Sequence, residues 1–351
     1  MEAVQLECVR HRLVRDAPVL RLTRKDTGSI VRDKTLTAAV LTCVALLLGG
    51  CTSASEEPAA APVVINLPDG RQVTVDGTPA RIVTLGGQWT DVALSYGITP
   101  VGYYDALEVT TGDPAPWFGN RLAESTAIDP SGDIVEQIAA LEPDLIVAPG
   151  FAAQASQFDK LAQIAPTIDK ISGEQIDPWE DMVTLMGVIL HEPDKGREIV
   201  AGVDADIADL AAEYPGLSGK SYAFAFMYGP DQIQAFGSAT DGAAQLFSSL
   251  GLVVAPALAE ESARTGQPRF PISTENVPLL NSDILVISAS TPELEDRLVG
   301  LPSYGNLDAV KNAAVSLLSQ TDITAINEPS PTSIPYVFDK MRPALEAAAT
   351  E

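Results

Sequence analysis

The sequence predicts an α/β fold of two lobes with mainly parallel sheets, joined by a single long helix. Three observations carry this. Short apolar runs of strand length alternate with amphipathic helical runs, and the alternation starts afresh midway along the chain. Between the two series a longer run opens at Pro193, with Ile199, Val200, Val203, Ile207, Leu210 and Ala211 at a three-to-four spacing until Pro215-Gly216. Residues 134–148 and 274–288 look like counterparts. In each, a helix with a glutamate near its start leads through an acidic residue into a buried strand.

Taken in order, residues 63–67 and 71–75 flank Pro68-Asp69-Gly70, a turn signal, and read as a hairpin. Residues 81–85 form a short strand, and Gly86-Gly87 turns the chain into a helix over about 89–96. Residues 98–103 return as a strand, which Pro100 confines to an edge or an end. A helix over 134–141 stops at Glu142-Pro143, and Asp144-Leu145-Ile146-Val147-Ala148 is a buried parallel strand. Helices around 155–164 and 178–190 finish an N-terminal lobe spanning 63–192. The connecting helix covers 193–214 and the C-terminal lobe 215–351. In that lobe, strands at 222–228, 283–287 and 315–318 alternate with helices at 242–250, 274–280 and 332–345.

Upstream of the folded part, an uncharged run of 14 residues from Thr35 to Leu48 follows Arg32 and Lys34. It is too short to span a ~30 Å hydrocarbon core as a helix. Basic start, apolar stretch and small residues make a secretory signal. With Leu48-Gly49-Gly50-Cys51 at its end, it resembles a bacterial lipoprotein signal, in which the Cys51 thiol takes the lipid. Residues 1–50 are thus a signal peptide, its first 30 an over-extended start, and residues 51–62, rich in Ser, Ala, Glu and Pro, a flexible tether. The expected location is extracytoplasmic, lipid-anchored to the outer face of the cell membrane.

Charge and rare residues exclude several functions. The chain has 22 basic and 47 acidic residues; residues 1–50 hold 8 and 5, leaving 14 and 42 beyond them, a net −28. Nucleic acid, whose phosphates demand basic surface, is excluded as a partner. Cys8 and Cys43 lie upstream of Cys51, so one mature chain has no pair for a disulfide. His191, the one histidine beyond residue 50, sits at a helix-to-helix junction, which leaves no Cys/His zinc site and no histidine-based catalytic group. No catalytic residue, resident cofactor or metal ligand is expected.

Several stretches together resemble one family, the lipoprotein-anchored substrate-binding proteins of ABC importers for ferric siderophores, haem and vitamin B12. They are Ala80-Arg81-Ile82-Val83-Thr84-Leu85, Tyr96-Gly97-Ile98-Thr99-Pro100-Val101-Gly102, the run from Ile138 to Val147 containing Leu141-Glu142-Pro143-Asp144, the run from Phe158 to Thr167, and Asn306-Leu307-Asp308-Ala309-Val310-Lys311-Asn312. The resemblance implies a class III periplasmic-binding-protein-like fold acting as a monomer, with the ligand held between lobes that close only slightly. It also implies that one surface glutamate on each lobe docks to arginines of the permease. Glu136 and Glu275 stand in the matching contexts. Charge pairing of this kind orients an encounter more than it tightens it.

Ligand contacts are expected from loops at the carboxyl ends of strands. These loops carry Gly86-Gly87-Gln88-Trp89, Tyr103-Tyr104, Trp117-Phe118 with Arg121, Gly150-Phe151, Tyr228, Phe236, and Arg264 with Arg269-Phe270. Planar aromatic surface suits a large chelate, and arginine pairs with its oxygens. Trp89, Tyr104, Trp117, Arg121, Tyr228 and Arg264 are the selected contacts. The acidic balance favours a neutral or cationic hydroxamate chelate over a tricatecholate, and the iron arrives already coordinated. Three other readings stay open. They are a cobalamin or haem receptor on the same scaffold, a secreted hydrolase using paired carboxylates such as Asp105/Glu108 or Asp231, and a lipoprotein that binds only proteins.

Overall fold

A computed structural model of the chain describes residues 60–149, 157–173, 176–239 and 241–350. The signal, Cys51, most of the tether and Gly150-Phe151 lie outside the described residues.

The first strands, β1 (Val63–Asn66) and β2 (Gln72–Val75), pair as the antiparallel hairpin. A wholly parallel sheet follows, built from β3 (Ile82–Leu85), β4 (Gly102–Tyr104), β5 (Thr126–Ala127), β6 (Leu145–Val147) and β7 (Thr167–Ile168) in the order β5-β4-β3-β6-β7. Its helices are α1 (Gly87–Ser95), α2 (Ala106–Thr111), α3 (Ile134–Ala140), α4 (Phe158–Leu161) and α5 (Trp179–Ile189). Strands β3 and β6 are buried on both faces, as their unbroken apolar runs require. At the end of β3, Gly86 takes a φ of 153°, and a Cβ there would stand 2.9 Å from Pro149 Cδ, so the turn into α1 needs glycine.

The connecting helix, α6 (Pro193–Glu213), has 21 residues, with Pro193 in its first turn and Val203, Ile207 and Leu210 buried. At 1.5 Å per residue it is about 32 Å long. Beyond it the second sheet comprises β8 (Ser221–Gly229), β9 (Gln232–Phe236), β10 (Val253–Val254), β11 (Arg269–Ile272), β12 (Ile284–Ala289) and β13 (Val315–Leu318). Its order is β11-β9-β8-β12-β13, with β10 on the start of β8. The helices are α7 (Gly242–Ser249), α8 (Pro256–Thr265), α9 (Pro292–Val299), α10 (Asp308–Lys311), α11 (Gln320–Asn327) and α12 (Ser333–Ala349).

This sheet too is mainly parallel, as expected, with one reversed strand, β9. β8, β12 and β13 run together, whereas β9 and β11 are antiparallel to their neighbours. The edge strand β11 carries Pro271, which an edge tolerates because no N–H is needed on its open side. The counterpart segments do match. Asp144 precedes β6 and accepts from the backbone N–H groups of Ala80 and Arg81 at 2.7 and 2.8 Å; Asp283 precedes β12 and accepts from Ser221 N at 2.6 Å. In each lobe this carboxylate ties the start of one strand to the start of its neighbour.

One apolar core runs through both lobes, from Trp89, Met182 and Met186 through Ile207 to Phe224, Val337 and Leu345. A second cluster of Val83, Ile138, Ile146 and Leu161 packs with α3 and α4. Among the described residues no helix is long and apolar enough to cross a membrane.

Candidate functional site: a cavity between the lobes

A cavity of about 710 Å³ opens where the two lobes and α6 meet, within the size range of small-molecule sites. Each wall is fixed by identifiable contacts. The N-terminal wall is the segment from β7 to α5. Asp169 there pairs with Arg71 of the hairpin, and Asp177 accepts from Ile171 N, from Ser172 N at 2.8 Å and from the Ser172 hydroxyl. These bonds set the path of the loop and deliver Pro178, Trp179 and Glu180 to the cavity.

The opposite wall comes from the C-terminal lobe. Asp241 caps α7 by accepting from Ala243 N at 3.0 Å, and its two oxygens receive Arg269 Nε and Nη2 at 2.7 and 2.9 Å. The Arg269 guanidinium lies 4.5 Å from the centre of the Phe236 ring, so it is held by both charge and stacking. Asp204 and Ile207 of α6 form the back, with Asn327 and Pro329 beside them. The Pro329 carbonyl accepts from Gln88 Nε2 at 2.7 Å, a direct bond between lobes. Asn327 Oδ1 is buried with no hydrogen-bond partner. Burial pushes the Glu180 carboxyl above its ordinary value, and the nearby charges of Asp204 and Asp181 push it further.

Beside the cavity a polar latch joins α1 to α12. Asp91, wholly buried, accepts from Thr332 N at 2.7 Å and from the Thr332 hydroxyl, and Arg121 Nη2 lies 3.5 Å away. Burial raises the Asp91 pKa, and the Thr332 donors and Arg121 oppose that rise. A second pair of carboxylates faces across the lobes here. Burial pushes Glu328 up to about 7, and the charge of Asp105 adds to this. Asp105 caps α2 through Leu107 N at 3.0 Å, while its Oδ2 is buried without a partner.

The six selected contacts do not converge on this cavity. Trp89 is 0% exposed and packs within the shared core, because α1 turns that face onto the sheet. Tyr104 is half-buried against the cluster around Ile138. Trp117 packs against Tyr336 with ring centres 5.3 Å apart, and its Nε1 has no partner. Arg121 donates to the carbonyls of Phe118 and Trp117 at 2.9 and 2.7 Å, so its guanidinium holds the latch loop. Tyr228 is 41% exposed at the end of β8, stacked on Phe226. Arg264 is exposed on α8 and forked onto Glu261. Of the wider loop set, Arg269 lines the cavity with Phe236 beneath it, and Phe270 is core.

Sequence reasoning missed Trp179, Glu180, Asp204, Asp241 and Asn327. A usable signal existed for Trp179. Pro178-Trp179 opens the helix reached by the loop after the parallel strand β7, and such loops are where cleft residues are drawn from. Glu136 and Glu275 are both exposed, each in the first turn of its helix, α3 and the 3₁₀ helix Thr274–Leu280. Among the described residues no group of three or more His, Cys, Asp or Glu is arranged to hold a metal ion.

Known proteins share this architecture. The Fe(3+)-citrate-binding protein YfmC of Bacillus subtilis is 28% identical over 290 residues, 79% of this chain and 86% of that protein. The structure of Staphylococcus aureus SirA complexed with staphyloferrin B superposes with a TM-score of 0.67 at 25% identity, covering 81% of this chain and 98% of SirA. Streptococcus pneumoniae PiaA in complex with ferrichrome gives 0.65 at 25% identity, covering 82% and 98%. The family model described as periplasmic binding protein matches residues 100–321. With two sheets flanking one long helix and a cavity between them, this chain belongs to the periplasmic binding protein family.

Proposed function

We propose that the protein is an extracytoplasmic solute-binding lipoprotein that captures a ferric siderophore in the interlobe cavity and delivers it to an ABC importer permease. The observation that carries this reading is the cavity of about 710 Å³, walled by both lobes and the connecting helix, on the scaffold shared with SirA and PiaA. The protein acts as a receptor and not as an enzyme. Iron enters as cargo already wrapped by its chelator, so the protein supplies no metal ligand. The continuous core through both lobes supports a small closing motion, since wide opening would expose apolar surface at about 25 cal/mol per Å².

Delivery uses Glu136 and Glu275, two exposed carboxylates on counterpart elements, one per lobe. Held apart on rigid elements, they set the angle at which the protein meets basic groups of a permease. The lipid on Cys51 holds the protein at the membrane. Isothermal titration with a panel of ferric siderophores, haem and cobalamin tests the ligand, and saturable one-to-one binding of a ferric siderophore alone is expected. Tight binding of haem or cobalamin with no response to any ferric siderophore overturns the assignment. For delivery, Glu136→Ala with Glu275→Ala should leave that affinity intact and abolish iron uptake in cells.

A further inference from the structure

We propose that the cavity selects a ferric chelate carrying positive charge, such as a hydroxamate complex with an ammonium arm, over polyanionic carboxylate chelates. The inference rests on the reading of the cavity as the siderophore site and concerns which siderophores it takes.

The lining carries four carboxylates, Asp177, Glu180, Asp204 and Asp241, against one guanidinium, Arg269. The charge of that guanidinium is already offset, because its Nε and Nη2 donate to both oxygens of Asp241. Asp177 accepts from neutral donors, the Ile171 and Ser172 N–H groups and the Ser172 hydroxyl, and has no ion-pair partner among the described residues. Glu180 and Asp204 stand close enough for the second to raise the pKa of the first. Among the described residues the lining therefore holds three carboxylates with no ion-pair partner, in a partly enclosed space where charge is weakly screened. A citrate or catecholate complex brings further negative charge against this field. An ammonium relieves it.

Hydrogen-bonding capacity agrees with the charge. Asn327 Oδ1, at the cavity wall, is an acceptor with no donor, and the carboxylates of Glu180 and Asp204 are acceptors too. An ammonium brings three donors and no acceptor, which matches this surplus. Trp179, 4% exposed, lines the cavity where the apolar spacer of such a chelate would pack.

The test is isothermal titration with three probes of one metal: ferrioxamine B, whose ferric complex carries a free ammonium; its N-acetylated form, which lacks that charge; and ferric citrate. Ferrioxamine B is expected to bind about tenfold more tightly than the acetylated form, with ferric citrate weakest. Raising salt should weaken the first most. Glu180→Gln combined with Asp204→Asn should shrink the tenfold gap to about twofold, with circular dichroism confirming an unchanged fold. Ferric citrate binding as tightly as ferrioxamine B overturns the charge inference and leaves the siderophore reading standing. A gap that persists in the double variant also overturns it. Failure of all three probes together with the wider panel overturns both.

Discussion

Asp91 and Thr332 are 241 positions apart and form the tightest polar join between the lobes, with Thr332 donating its backbone N–H and its hydroxyl to the two oxygens of one buried carboxylate. A buried carboxyl group with three donors around it is stable only as a set. Asp91→Ala leaves the Thr332 N–H and part of the Arg121 charge without a partner. It should cost about 3 kcal/mol in chemical denaturation. Asp91→Asn keeps the shape and one acceptor and should cost less. A loss under ~1 kcal/mol for the alanine variant would show that the latch contributes little.

Glu328 gives the molecule a pH signature. Its carboxyl is held at about 7 in the folded state, against an ordinary 4.5. The folded protein therefore binds this proton more tightly than the unfolded chain does. The resulting stabilisation is complete below about 4.5, declines as pH rises, and is gone above about 7. Glu328→Gln should remove that slope, leaving a variant more stable than the parent at pH 8 by on the order of 2 kcal/mol. Melting temperatures of both proteins between pH 5 and pH 8 measure the difference, and parallel curves would contradict it.

Much of the frame was legible in the sequence because it depends on local signals. The connecting helix was marked by Pro193 at its start and Pro215-Gly216 at its end, and α6 runs from Pro193 to Glu213. The paired segments ending in β6 and β12 were visible as repeated acid-then-apolar runs. Which side chains line the cavity was less legible. Trp89 follows a strand end, as cleft residues do, yet α1 is buried along nearly its whole length and takes the indole inward. Arg121 and Trp117 sit in a segment with no periodic pattern, and partners far along the chain, Thr332 just before α12 and Tyr336 on it, occupy them. Strands β9 and β11 escaped notice because each is short and interrupted by polar residues or proline.

Gly237 marks a place where packing leaves no room. A Cβ there would stand 2.4 Å from the Leu258 carbonyl oxygen and 2.8 Å from Phe270 Cε1. Neither the backbone of α8 nor the buried ring can yield cheaply. Gly237→Ala should destabilise the protein by about 1–3 kcal/mol. Because residue 237 leads into the Asp241–Arg269 pair, ligand affinity should fall as well. Urea denaturation and titration on the same sample check both effects.

The direct test of the cavity as the ligand site is tryptophan fluorescence during titration with a ferric hydroxamate, comparing the parent with Trp179→Phe. Trp89 lies in the core and Trp117 in the latch, so Trp179 is the indole at the cavity wall. Saturable quenching in the parent that is mostly lost in Trp179→Phe, with the fold retained, is the predicted result. Quenching of equal depth in both proteins, or none in either, would contradict the placement of the ligand between the lobes.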